Sequence, residues 1–211
     1  MRRGVLLVLG FGGSLLAALL LASVVAKGYE MQLHLPCDVE QTPLMILELR
    51  SYDGPFLEDG SNREVSNVAA LVLFNPSEQF LEQGAVKVWQ KGRLMVLAFT
   101  CIPPGGRVLV LESSGKAFAT GQIKNCWGWC VIAEGLQQVQ VEEVGRSALA
   151  ITNLRQETAR EITVYYKDYN AHEKLYMGGV THSVTVYSLE SGHRIVVPAF
   201  MYLSGQSMVV K

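Results

Sequence analysis

The chain has 211 residues, 49% of them apolar and 18% charged, and its 18 basic and 19 acidic side chains leave a formal net charge of −1. That length accommodates one or two domains. The balance provides no basic excess for nucleic acid and no acidic tail, and the apolar content argues against disorder.

Arg2 and Arg3 precede an uncharged run from Gly4 to Ala26, closed by Lys27. About 20 apolar residues cross a bilayer as a helix, whereas the apolar core of a signal peptide runs to about 7–15. The length favours a retained anchor over residues 1–27, although Val24-Val25-Ala26 also fits a cleavage site. The arginines hold Met1 in the cytoplasm and place everything after Lys27 outside. The expected location is therefore the cell membrane, single-pass with the C-terminus outside, or secretion if the leader is cleaved. Residues 28–43 carry Pro36 and Pro43 with little periodicity and read as a linker.

From Met45 the pattern changes to short runs of alternating apolar and polar residues, the period of a half-buried strand. The expected strands are Met45–Arg50, Val68–Phe74, Ala85–Gln90, Leu94–Thr100, Arg107–Glu112 and Trp129–Ala133. They continue as Val139–Glu143, Ala148–Asn153, Ile162–Lys167, Val180–Tyr187, Arg194–Ala199 and Ser207–Val210. Turn clusters such as Pro103-Pro104-Gly105-Gly106 and Ser191-Gly192 separate them. This is the signature of an all-β sandwich or barrel.

The second half repeats the first. Ala70–Asn75 resembles Ala148–Asn153, with an offset of 78 positions that also takes Val86 to Val164 and Val88 to Tyr166. Further on, Ile102-Pro103-Pro104-Gly105 matches Leu189-Glu190-Ser191-Gly192 at an offset of 87. The second copy therefore carries about nine extra residues near Tyr169–Met177, expected as a longer hairpin with Tyr165 and Tyr169 exposed and Tyr166 facing the core. The units are assigned to residues 44–135 and 136–211. With an Asn ending one strand and a Leu/Ile-x-x-Gly turn before a later one, residues 44–211 resemble the immunoglobulin-like or fibronectin-III-like modules of bacterial cell-envelope proteins. The resemblance implies two tandem immunoglobulin-like sandwiches with a role in protein or cell-wall interaction. The cysteine and tryptophan spacing of antibody domains is missing.

Four cysteines, Cys37, Cys101, Cys126 and Cys130, lie on the outer side of the membrane, where disulfides form. A bond from Cys101 to Cys126 or Cys130 is the expected staple of the first unit. Cys126 and Cys130 are spaced C-x-x-x-C, not as a redox C-x-x-C, and the scattered histidines do not complete a zinc site. Trp127 and Trp129, two apart in a strand, share a face and could stack on a sugar or contact a partner. With Tyr165 and Tyr169 they are the candidate ligand-binding residues; the plainer alternative is that these rings pack the sheets. Ser51–Ser61 holds three acids and reads as a solvated turn-rich loop, without calcium spacing. No nucleophile elbow, P-loop, zinc-protease motif or dinucleotide fingerprint occurs, and Glu58-Asp59 and Glu142-Glu143 each point to opposite faces.

The expected function is accordingly non-catalytic, without metal or cofactor. The expected partner is an envelope protein or glycan. A carbohydrate-binding accessory module is one alternative and a thiol-redox or other enzyme a second.

Overall fold

A computed structural model of the chain describes residues 37–121, 123–134, 139–145 and 147–199, together with the backbone of 209–210. The apolar run 4–26 and most of the expected linker lie outside the described residues. Among the described residues no helix is long and apolar enough to cross a membrane.

The described chain is all β. Its strands are β1 (Cys37–Asp38), β2 (Met45–Phe56), β3 (Arg63–Phe74), β4 (Leu81–Gln90), β5 (Arg93–Ile102), β6 (Arg107–Leu111) and β7 (Ile123–Ile132). The second half adds β8 (Val139–Val144), β9 (Ala148–Asn153), β10 (Ala159–Tyr166), β11 (Tyr169–Asn170), β12 (Leu175–Met177), β13 (His182–Leu189), β14 (Arg194–Pro198) and β15 (Val209–Val210). They form four sheets, ordered β1-β2-β3-β6-β12-β11, β5-β4-β7, β14-β9-β8 and β13-β10-β15.

Alternation explains the layers. In β4 and β5, Val86, Val88, Met95, Leu97 and Phe99 point inward and meet Leu49, Leu71, Leu73, Val108 and Val110 of the facing sheet. A second core joins Leu149 and Ile151 of β9 to Ile162, Val164, Tyr166 and Val186 of β10 and β13. Strand β3 does not alternate, because it is buried on both faces. Its other side, with Tyr52, Phe56, Val68, Ala70, Val72, Leu109 and Leu111, is covered by Met177 from β12.

The repetition seen in the sequence recurs in the main hydrogen bonds of two buried asparagines. Asn75 and Asn153 are both fully buried. The Asn75 amide donates to Gln79 O at 2.8 Å and Ile102 O at 3.3 Å; that of Asn153 donates to Glu157 O at 2.8 Å and Leu189 O at 2.9 Å. Their backbones match too. Asn75 N donates to Gly106 O and Gly105 N to Asn75 O, while Asn153 N donates to His193 O and Gly192 N to Asn153 O. Partners four residues on keep the offset of 78, and partners near the later turn keep the offset of 87. Sheet order repeats as well, with β2-β3-β6 and β5-β4-β7 matched by β8-β9-β14 and β13-β10-β15. The nine extra residues form the β11–β12 hairpin, which leaves its own half and pairs parallel with β6 through Tyr176–Val108 and Met177–Leu109.

Several boundaries differ from expectation, with β3, β4 and β10 each starting three to five residues earlier than expected. Of the segment assigned as linker, Cys37–Asp38 pairs with β2, Val39 is buried in the core and Glu40 bridges to Trp127. The turn-rich stretch from Ser51 continues β2 as far as Phe56, since Tyr52 and Phe56 fill the second face of the sheet. Asp53 there accepts from Ser66 Oγ and Asn67 N across the hairpin. Strand β7 begins at Ile123, six residues earlier than expected, because Cys126 is a core residue.

Each asparagine amide satisfies carbonyls that water cannot reach. Asn75→Ala and Asn153→Ala are each expected to lower unfolding free energy by about 2–3 kcal/mol in denaturant titrations. The two share no partner, so the double variant should lose close to the sum.

Candidate functional site

The three tryptophans of the chain fall on one surface, the outer face of the β5-β4-β7 sheet. Register fixes this. On β4 the outward residues are Gln83, Ala85, Lys87 and Trp89. Across to β7 these pair with Val131, Trp129, Trp127 and Asn125, and across to β5 with Thr100, Ala98, Val96 and Leu94. Trp129 is 49% exposed and Trp89 38%, while Trp127 is half-buried. Along the strand direction the indoles form a row of about 13 Å, from two-residue steps of about 6.7 Å. Ala85 also faces outward yet is only 6% exposed. Trp127 and Trp129 thus share a face as expected, and Trp89 joins them. Its outward position was legible from alternation along β4, but the pairing of β4 with β7 was not.

The tyrosines do not form the exposed loop expected of them. Tyr165 is half-buried and packs on Phe80 and Cys101. Tyr169 is half-buried, with its ring centroid 5.1 Å from that of Tyr176. The hairpin docks on the first half, so its rings serve packing. Tyr166 lies in the core as expected.

The expected disulfide is not made: Cys101, Cys126 and Cys130 form no bond with one another. Cys126 and Cys130 are four residues apart on one strand, about 13 Å, beyond the roughly 7 Å that a disulfide tolerates between Cα atoms. Cys101 lies on β5, with β4 between it and β7. Burial pushes the Cys130 thiol up, which lowers its thiolate fraction. Cys37 belongs to β1, and its side chain lies outside the described residues.

A second constellation was not anticipated. Lys167, just beyond β10, is fully buried. Its Nζ donates to Gly178 O at 2.9 Å, Thr181 Oγ1 at 3.0 Å, Val180 O at 3.1 Å and Thr100 Oγ1 at 3.4 Å. Beside it, Asp168 Oδ2 accepts from His182 Nε2 at 3.2 Å, and Tyr166 stacks on the His182 ring. Both carboxylate oxygens of Glu58 are buried without a hydrogen bond. Burial pulls the Lys167 amine down to about 8, opposed by the negative potential of Cys101, Asp168 and Glu58. Burial likewise pushes the Glu58 carboxyl up, opposed by the backbone N–H groups of Glu58, Leu111 and Leu57, none of which reaches hydrogen-bond geometry. Nearby Tyr52 is pushed up to about 12, first by burial and then by Glu58 and Glu173. An ammonium held by four oxygens and buried from solvent acts as a pin between the two halves. The signal for it was present in the sequence: at the offset of 78 Lys167 matches Trp89, an outward position in the first half.

The amine titrates near 8 in the folded chain and near its ordinary 10.5 when unfolded. Between those values the unfolded state binds more protons, so stability contributed by this group rises with pH; below about 8 both states are charged and the burial penalty is complete. The full span corresponds to about 3 kcal/mol. Lys167→Met removes the titration. The unfolding free energy of the native chain minus that of the variant is therefore expected to grow between pH 8 and 10.5 in denaturant titrations, and a flat difference would contradict this account.

No protein-family model matches the chain, and neither a curated protein nor a solved structure matches it.

Proposed function

We propose that the chain is a non-catalytic binding protein, held on the outer side of a bacterial membrane by its apolar run 4–26 and engaging an envelope component, protein or glycan, through the tryptophan face. Residues 44–135 and 136–211 serve as tandem immunoglobulin-like sandwiches, a reading supported by the matched hydrogen bonds around Asn75 and Asn153. The observation that carries the function is the gathering of Trp89, Trp127 and Trp129 on one solvent-facing sheet surface. Tryptophan is normally spent on a core, and clustered exposed indoles are the residues that dominate binding surfaces. The groups with the most displaced proton affinities support the same reading, because Lys167 and the Glu58 carboxylate lie sealed inside the fold.

The full-length chain should be retained on isolated cell-envelope material. Trp127→Ala with Trp129→Ala should weaken retention at least about thirtyfold, the equivalent of about 2 kcal/mol for a central aromatic contact. Retention that survives the double substitution would move the contact surface elsewhere, and a reporter fused at the C-terminus that matures in the cytosol would refute the location.

A further inference from the structure

Strands β6 and β14 are the same strand of the repeat, yet only one of them is covered. At the offset of 87, Arg107-Val108-Leu109-Val110-Leu111 matches Arg194-Ile195-Val196-Val197-Pro198. Their backbones are oriented alike. Asn75 N donates to Gly106 O and Glu112 N to Ala69 O, while Asn153 N donates to His193 O and Ala199 N to Ser147 O. The intervening alternate residues turn their backbone groups to the opposite edge; among them are Leu109 in β6 and Arg194 and Val196 in β14. Leu109 O accepts from Gly178 N at 2.6 Å, where β12 pairs parallel. The matched edge of β14 carries no strand among the described residues, because β14 ends the order β14-β9-β8. Val108 and Leu109 are 1% and 0% exposed, whereas Ile195 and Val196 are 38% and 50% exposed.

Strand β14 nonetheless keeps the composition of a strand buried on both faces. Val196 lies beside Ala150 on the outer face of its sheet, as Leu109 lies beside Val72. Exposed Val144 and Pro198, on either side of Ala148, extend the apolar strip. Sheets guard their free edges with prolines and charges. Pro198 guards one end of β14, and Arg194, 3.7 Å from Glu142, guards the other. Ile195–Val197 between them has no guard, and Val196 is the residue matched to Leu109, on which the β12 pairing is centred.

We propose that the free edge of β14 is a strand-addition site, taken in parallel by an extended segment of a different polypeptide that sets a long apolar side chain over Val196 and an aromatic one beside Ile195. The first half supplies the template for that occupant. There Met177 stands opposite Leu109 and covers the outer face, and Tyr176 stands opposite Val108 and packs against the inner core. Glycine follows, since a Cβ on Gly178 would lie 2.4 Å from Val110 Cγ2, and Val197 holds the place of Val110 in β14. In such additions main-chain bonds give affinity and alternate side chains give specificity. A second copy of this chain has no such strand to offer, because its β12 is held on its own β6. The edge belongs to a different sheet from the tryptophan face and does not depend on the role of that face.

A fluorescein-labelled synthetic peptide of residues Glu173–Val180 serves as the probe, since it contains the one strand seen in this relation. Titration with the full-length chain in nonionic detergent should give saturable binding by fluorescence anisotropy. Val196→Lys should weaken that binding at least about tenfold, as should Met177→Asp in the peptide. Val196 is half exposed, so the thermal transition of the Val196→Lys chain should stay in place, which separates lost binding from lost folding. A benzophenone side chain in place of Tyr176 in the peptide should crosslink to residues 194–198, located by mass spectrometry. Absence of binding, binding that ignores Val196→Lys, or an adduct on β6 in place of β14 overturns the proposal. Sedimentation of the chain alone tests the other occupant: self-association abolished by Val196→Lys would give the edge to a second copy and overturn the proposal as well.

Discussion

The parallel pairing of β12 with β6 is the constraint around which the described fold is arranged. An unpaired strand edge carries a row of unsatisfied backbone donors and acceptors, and β12 closes that of β6 through Tyr176 and Met177. A parallel partner cannot come from a tight hairpin; it needs a crossover, and the chain supplies one by leaving the second half after β10 and returning into β13. Met177 then covers the second face of β3 and β6. The backbone comes so close that a Cβ on Gly178 would lie 2.4 Å from Val110 Cγ2. Lys167 stands at the departure point and holds the return segment through Gly178 O and Val180 O. Arg50 pairs with Glu173 at 2.5 Å at the far end of the same excursion.

Much of this was legible in the sequence, and for definite reasons. Alternation located the strands wherever one face meets a core and the other meets solvent, as in β4, β5 and β10. The two asparagines and the turns after β5 and β13 betrayed the repeat because buried amide geometry tolerates few substitutes. The difference between the offsets of 78 and 87 located the excursion, since an insertion in one copy shifts everything after it. What failed was the far side of each element. Val68–Phe74 is an unbroken apolar run, which is what burial on both faces demands, but nothing local says which segment lies over it. Tyr165 and Tyr169 were expected to face solvent because a long hairpin usually does, whereas this one docks. The cysteines were paired by compartment, and the compartment does not fix Cα separations along β7.

The contrast between the two halves explains why, among the described residues, the clustered tryptophans lie on the first. Ala85 opposite Ala98 corresponds to Thr163 opposite Thr185, whose hydroxyls hydrogen-bond at 3.0 Å. Lys87 corresponds to Tyr165, which packs on Phe80 and Cys101 of the first half. Trp89 corresponds to Lys167, and its neighbour Leu94 to Thr181, the residue that accepts from the lysine. The same surface is therefore used twice. In the second half only the end at Tyr165 and Lys167 packs on the first, while Thr185 and Tyr187 stay exposed. In the first half the nine-residue excursion is replaced by the short Lys91-Gly92 turn, so nothing in the repeat pattern folds back over the tryptophans. Large apolar rings on an open sheet lose the stabilisation that burial would give them, about 1.5–3 kcal/mol for a big side chain. Trp89 and Trp129, 38% and 49% exposed, forgo part of that stabilisation, which the paired threonines of the second half never require.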